Sequence, residues 1–413
     1  MTRTEERLAD ALGAAAQTIR EDTLRPLTAP DPGDRRRPSR PGWLAPVAAA
    51  AAVALVIGLA VLAAQALGRN SAPVGLPPGT PRYYVQVGGA DGRPVVRSTA
   101  TGAVTGTVPV RASNALGYDL VTADRDGTFF VVAAPALNHG ERLYKFRLTS
   151  AGRVTGFSAV PVGTLASRTW AADALAVSPD GSRIALGMRF VAPPVLCPPA
   201  RQPCPQQAGP DYVLAINLAT GHRTVWRWAG SAVVHSFAVE SLSWTSDDRT
   251  LALLGQWCPE GRTNQTCPRH DRLQEVEALH PAAGGGELGG PGILYTAGPR
   301  SEIVQAQISP DGRTVTAVVL YGRPPGYGHV RRYLSVDHIS VVRGHMNQVQ
   351  SVLYRRRLTD TFDPGRVPDF IALGQDATGQ HLLLSGAGFN GWIHDGRLIP
   401  LIPINGREAD QAW

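Results

Sequence analysis

The side chains of this chain that could do chemistry fall into three groups: four cysteines, a stretch in which tyrosines alternate with arginines, and one adjacent aspartate–histidine pair. Cys197 and Cys204 enclose CPPARQPC, and Cys258 and Cys267 enclose CPEGRTNQTC. A zinc site competes with disulfides for these thiols. The gaps are wider than the two to four residues of usual zinc knuckles and no histidine stands at ligand spacing, so disulfides are the reading the spacing favours. Four cysteines allow three pairings. Because each pair shares one short polar or proline-rich loop, Cys197–Cys204 and Cys258–Cys267 are expected, and a link between Cys204 and Cys258 would overturn that assignment.

The segment LYGRPPGYGHVRRYL, Leu320 to Leu334, interleaves Tyr321, Tyr327 and Tyr333 with Arg323, His329, Arg331 and Arg332. Aromatic rings beside guanidinium groups suit contact with protein, carbohydrate or an anionic polymer. The plainer alternative is a solvated loop whose tyrosines cover the rim of the fold. His338 follows Asp337, but neighbours on a strand point to opposite faces, so the pair reads as structural. The chain has no Gly-x-Ser-x-Gly elbow, no His-Glu-x-x-His and no phosphate-cradling glycine loop before a helix. AAGGGELGG, Ala282 to Gly290, reads as a flexible turn because no helix follows it. No catalytic residue, no cofactor and no bound metal are expected.

These residues are positioned by a repeat. LAVSPDGSRIAL (Leu175 to Leu186), LSWTSDDRTLAL (Leu242 to Leu253) and AQISPDGRTVTA (Ala306 to Ala317) align without a gap, with weaker copies around Asp126 and Gly379. An apolar strand, then Ser-Pro-Asp-Gly, then a second apolar strand is a β-hairpin: Pro presets φ, Asp bonds its own backbone and Gly accepts positive φ. Asp180, Asp247 and Asp311 are therefore turn formers. A third and fourth strand follow each hairpin, as in YVLAINLATGHRTVWRW (Tyr212 to Trp228), and four antiparallel strands make one propeller blade. The repeats fall at about 81–112, 117–165, 170–232, 237–298, 302–368 and 369–405. The first and last are short, as expected if the chain ends meet in one closed ring. A usual blade takes ~40–45 residues; the central ones exceed this through insertions between second and third strands, at Val191 to Asp211, Pro259 to Arg272 and Gly322 to Arg332, which should cluster on one face.

Trp43 to Ala64 is an apolar run of 22 residues without a charge. At ~1.5 Å per residue it spans ~33 Å of helix, enough for a ~30 Å hydrocarbon core. Arg35, Arg36, Arg37 and Arg40 crowd its N-terminal side, which places the N-terminus in the cytoplasm and the bulk of the chain outside. A cleaved signal peptide ending at Ala64-Gln65-Ala66 is the rival reading. Thr4 to Ile19 forms an amphipathic stripe with Leu8, Leu12, Ala15 and Ile19, a candidate docking helix for a cytoplasmic protein. The expected layout is a cytoplasmic segment with helix and Arg-rich linker (1–42), a transmembrane helix (43–67), a linker (68–80) and an extracytoplasmic all-β propeller of about six four-stranded blades (81–413).

Composition narrows the function. Charged residues make up 18% of the chain, below the ~25% usual for soluble domains. Lys145 is the single lysine, and the +7 net charge is scattered rather than gathered in a stripe, so no nucleic-acid partner is expected. The Ser-Pro-Asp-Gly hairpins of residues 178–181 and 309–312 resemble the WD-like repeats of TolB-type β-propellers, although the Trp-Asp dipeptide of true WD repeats is missing. That resemblance implies a fold whose members commonly bind proteins and sometimes carry enzymes. The layout, with Thr2 to Ile19 at its start, also resembles actinobacterial membrane proteins associated with extracytoplasmic-function sigma factors. A non-enzymatic module binding a protein or envelope ligand is the function expected, with a sigma factor as the possible inner partner. A propeller hydrolase or lyase acting on envelope polysaccharide or peptide, and a structural scaffold, are the alternatives.

Overall fold

Apolar strands alternating with turn formers fold, in the computed structural model, into six antiparallel sheets of the kind the repeats predict. The structure describes residues 79–87, 93–109, 115–135, 141–163, 165, 170–190, 211–228, 237–257, 273–289, 292–298, 301–322, 332–341, 349–358, 371–376, 378–386, 389–401 and 411–412. Blade 1 begins with β1 (Tyr83–Gln86), β2 (Val95–Ser98) and β3 (Val104–Thr107). Blade 2 holds β4 (Ala115–Ala123), β5 (Thr128–Pro135), β6 (Arg142–Leu148) and β7 (Val154–Ala159). Blade 3 holds β8 (Trp170–Val177), β9 (Arg183–Phe190), β10 (Tyr212–Asn217) and β11 (Arg223–Trp228). Blade 4 holds β12 (Phe237–Trp244), β13 (Leu251–Trp257) and β14 (Leu273–Leu279); β15 (Gly286–Leu288) follows, then its outer strand β16 (Ile293–Thr296). Blade 5 holds β17 (Ser301–Ile308), β18 (Thr314–Tyr321), β19 (Arg332–Ser340) and β20 (Val349–Leu358). Blade 6 holds β21 (Ile371–Gln375), β22 (Leu382–Gly386), β23 (Phe389–His394) and β24 (Arg397–Pro400), after which β25 (Gln411–Ala412) ends the series.

The expected hairpins take the expected chemistry. In blade 5 the Ser309 hydroxyl donates to Asp311 Oδ1 at 2.6 Å, which also accepts from Arg313 N at 3.0 Å, while Ser309 Oγ accepts from Thr314 N at 3.0 Å. Thr245 and Asp247 repeat the pattern in blade 4, and Ser178 and Asp180 in blade 3. The hydrogen bonds from Ser309 and Arg313 hold the Asp311 carboxyl below its ordinary pKa, as suits a turn former. Gly312 closes the turn at φ +71°, a conformation glycine adopts without steric cost.

Each blade buries both faces against its neighbours, so the second strands are buried without alternation and largely apolar: β13 is buried over 251–256 and β18 over 315–320. Six apolar clusters result, one between each adjacent pair of blades. Among the described residues the seam between blades 6 and 1 has the smallest cluster, with Tyr84, Leu383, Trp392 and Leu401 as its buried members. There the ring is closed by hydrogen bonding. β25 adds antiparallel to β1, pairing Val85 with Ala412 and Gln86 with Gln411, and becomes the innermost strand of blade 1. Gln411 reaches across the seam to donate to Asn390 Oδ1 of blade 6 at 3.1 Å. The expected sixth repeat, ending at 405, therefore stops short of the strand that joins the ends.

The glycine-rich segment 282–290 is a correction. Instead of a flexible turn it contains β15, which leaves blade 4 and pairs parallel to β11 as a fifth strand of blade 3. Glycine is needed there because a Cβ on Gly285 would stand 2.4 Å from the Val225 carbonyl oxygen. Among the described residues no helix is long and apolar enough to cross a membrane. The expected transmembrane segment 43–67, the segment with Leu8, Leu12, Ala15 and Ile19, and Cys197, Cys204, Cys258 and Cys267 all lie outside the described residues.

The thin seam makes the ring dependent on its last strand. A chain ending at residue 409 is expected to melt roughly 5 °C or more below the full chain, taking ~2–4 °C per kcal/mol for a domain of this class. Circular dichroism melts of the two proteins measure the difference, and coincident midpoints would show that blade packing alone closes the ring.

Candidate functional site

The innermost strands of the six blades surround a channel of about 370 Å³. Four consecutive ones carry the same irregularity. In β4, β8, β12 and β17 the pairing with the second strand slips by one residue, leaving Asp119, Asp173, Glu240 and Val304 as the extra residues. A β-bulge bends its strand and re-aims the side chain of the inserted residue. Here three of the four are carboxylates, and Asp173 and Glu240 line the channel. Each bulge lies five residues before the residue that opens the hairpin, Asp124, Ser178, Thr245 or Ser309, so the four occupy one level of the ring.

That level is the end of the channel away from the hairpin turns. Strands of a blade alternate in direction, so the turn between first and second strands opens on one face and the connection between second and third on the other. The three long insertions leave from this second face, at the ends of β9, β13 and β18. The sequence placed them correctly between second and third strands of three consecutive blades. The opposite mouth is spanned by Arg125, whose guanidinium Nη2 donates to the Ser246 carbonyl at 3.1 Å while its backbone N donates to Pro179 O at 3.0 Å.

Two further carboxylates and an amide stand behind the bulges. Glu141, Asp211 and Gln274 precede by five residues Phe146, Ile216 and Leu279, which pair with the beginnings of β5, β9 and β13. Glu141, 3% exposed, accepts from Ala172 N on both carboxylate oxygens at 3.0 Å, gripping blade 3 at the residue before its bulge. Gln274 does the same for blade 5: its Oε1 accepts from Ile303 N at 2.6 Å and its Nε2 donates to Ile303 O at 2.9 Å. Asp211, one methylene shorter, accepts from Phe190 N of its own blade at 3.0 Å.

Acidic groups crowd together here. Asp119, Glu141, Asp173 and Asp211 act on one another through their charges, and Arg189, which acts on the last three, pairs with Asp173. Burial pushes the Glu141 pKa up to about 7 and that of Asp211 up to about 7, and neighbouring carboxylates add to the rise in each. Desolvation raises Asp119 and Asp173 as well, although both keep contact with solvent. Nothing in the sequence analysis singled out these residues. The signal was present: an acidic residue five positions before the turn in three successive repeats, two residues ahead of where the repeat alignment began.

The tyrosine–arginine segment is only partly described, since Arg323, Tyr327, His329 and Arg331 lie outside the described residues. Tyr321 ends β18 and donates to Asp337 Oδ2 at 2.7 Å; burial, then this bond, raises its pKa. Its hydroxyl is thus engaged inside the blade. Tyr333 stands opposite Tyr321 and Arg357, and Arg332 begins β19 opposite Leu358. Asp337, fully buried, also accepts from the Ser335 hydroxyl at 2.5 Å, while His338 faces the other side, its pKa lowered by burial. Among the described residues no group of three or more His, Cys, Asp or Glu has a geometry that could hold a metal ion.

No protein-family model matches the chain, and no curated protein matches it. Similar solved structures include a functionally unknown protein from Desulfotomaculum acetoxidans, 8% identical with a TM-score of 0.42 over 79% of this chain and 98% of that one. Prolyl oligopeptidase B from Galerina marginata is 15% identical with a TM-score of 0.36, over 69% of this chain and 37% of its own. The Cps50 (Swd1) β-propeller domain of Myceliophteria thermophila is 9% identical with a TM-score of 0.35, over 73% and 91%. This chain thus spans well under half of the length of the prolyl peptidase.

Glu141 links the site to stability. A carboxyl whose folded pKa exceeds its unfolded value costs stability as pH climbs from the unfolded pKa to the folded one, because the unfolded chain releases its proton first. Between about pH 4.5 and 7 the propeller should lose on the order of 3 kcal/mol through this group. Glu141→Gln, which copies what Gln274 already does, should flatten that slope and stabilise the protein at pH 7.5. Urea unfolding at pH 5 and pH 7.5 measures both, and an unchanged slope in the variant would remove Glu141 as its source.

Proposed function

We propose that this chain is a non-enzymatic binding module that holds a cationic group, an ammonium or guanidinium presented by a protein or envelope component, at the acidic end of its channel. The observation that carries the reading is the bulge repeated in consecutive blades, which aims Asp119, Asp173 and Glu240 at one level. Asp119 and Asp173 are desolvated, and the charge of Asp173 raises the pKa of Asp119 further, so a cation brought beside them is favoured. The insertions leave from the same face, where they can contact whatever carries that cation.

A hydrolytic reading draws on the same cluster, since a carboxyl with a pKa near 7 suits a general acid. The geometry argues against it. Both oxygens of Glu141 are occupied by Ala172 N and the residue is 3% exposed, while Asp211 is 7% exposed and bonded to Phe190 N, so both carboxyls are tied to backbone amides within the sheets.

The proposal extends to topology. Trp43 to Ala64 would cross the membrane once, with the arginine-flanked N-terminus inside, and Thr4 to Ile19 would dock a cytoplasmic protein, a sigma factor being the partner the layout resembles. The charge-free run and the arginine asymmetry support this part. Protease added to intact cells should remove the propeller and leave the N-terminal segment; survival of the propeller would place it inside.

Binding is tested with fluorescent tetralysine on the whole protein. Asp173→Asn combined with Glu240→Gln should weaken it tenfold or more at low salt, and wild-type binding should fade as salt rises. Equal affinity in the variant would dismiss the acidic end of the channel as the site, and the scaffold reading would then stand.

A further inference from the structure

β20 is the outermost strand of blade 5, and at ten residues the longest strand of the described structure. The other blades end on β3, β7, β15, β16 and β24, of three to six residues each. Among the described residues no strand pairs with the outer edge of β20. Val349 and Val352 are 41% and 44% exposed on it, and Arg355, Arg356 and Arg357 are all exposed. The Arg355 guanidinium lies 6.0 Å from the Tyr321 ring, and Arg357 stands opposite Tyr333. The basic character that the sequence suggested for the loop after β18 therefore continues along a strand edge that the sequence did not single out.

The molecule already shows how such an edge is used. β11, the outer strand of blade 3, accepts β15 alongside it, and the register sets Glu287 against Arg227. An arginine-bearing edge has taken an added strand that carries an acidic residue.

We propose that the outer edge of blade 5 is a docking site for an extended peptide segment of a partner protein, added as a fifth strand and carrying acidic side chains at alternate positions. Added strands bind through main-chain hydrogen bonds, and side chains at every second residue supply selectivity. Arg355 and Arg357 project to one face, so acidic residues two apart on the incoming strand would meet both. Charge also decides what the edge refuses: a second copy of β20 in parallel register would set arginine against arginine, which is unfavourable. Bulges at Gln350 and Leu353 interrupt β20 and leave residues 354–358, which include both arginines, as its regular stretch. The peptide is preferred to a polyanion because that stretch offers a row of backbone groups as well as charge, and a phosphate polymer would use only the charge. This site is independent of the acidic channel.

The test uses the full chain and a fluorescent ten-residue peptide of alternating Glu and Val, with inorganic polyphosphate and an N-methylated form of the peptide as comparators. The peptide should bind and slow amide exchange within residues 349–358. Arg355→Glu with Arg357→Glu should weaken it tenfold or more, Arg355→Gln with Arg357→Gln less, and the N-methylated peptide should not bind. Melting curves of the variants confirm that these exposed substitutions leave the fold intact. Equal binding by the charge-reversed protein, protection mapping elsewhere, or polyphosphate and N-methylated peptide binding as well as the parent peptide would each overturn the proposal. So would sedimentation showing a dimer of the protein that β20 peptide dissolves.

Discussion

Every sheet in this protein must bury two faces, and that requirement governs the rest. A sheet with one wet face can alternate apolar and polar residues; a blade held between two others cannot. Hence the unbroken buried runs of β13 and β18, and hence six interfaces rather than one core. A row of such sheets always leaves two uncovered faces at its ends, and bending the row into a ring is what covers them. Closure is thus a consequence of burial, with the short pairing of β25 on β1 and the Gln411–Asn390 bond supplying order at a junction where apolar contact is scarce.

Within that frame one residue per strand is enough to make a surface with chemistry. A regular innermost strand would send its side chains alternately into the two adjoining interfaces, where a charge is costly. The extra residue of each bulge escapes that alternation. Blades 2, 3 and 4 place a carboxylate on it and blade 5 places Val304, so the acidity covers an arc of the channel instead of its full circumference. The residues gripping the backbone beside the bulges explain their persistence: Glu141 and Gln274 satisfy amide groups that the slipped pairing would otherwise leave open.

The repeat was legible because turn chemistry is local. Ser, Pro, Asp and Gly each act within a few residues, and the bonds around Asp311 are those its neighbours in the chain permit. Blade number, hairpin positions and the placement of the insertions followed from that. What the sequence concealed depends on partners far away in the chain. Glu141 matters through Ala172, and β15 through β11, pairings that no short window contains. The segment 282–290 misled for a related reason: its glycines suggested looseness, whereas Gly285 is there because a neighbouring carbonyl leaves room for nothing larger. Tyr321 drew notice through the arginines that follow it, whereas the partner of its hydroxyl, Asp337, stands on the adjacent strand sixteen residues later.

The join between the first strand and the last has a cost in time. Val85 and Ala412 are separated by more than three hundred residues, so a ribosome adding about 5–20 residues per second emits β1 tens of seconds before its partner exists. Throughout that interval the inner edge of β1 lacks the strand that will cover it. The newborn chain is therefore most vulnerable to sticking to its fellows during synthesis, and anything that shelters the opening blade until the final residues emerge would govern yield more than would any adjustment to the finished ring.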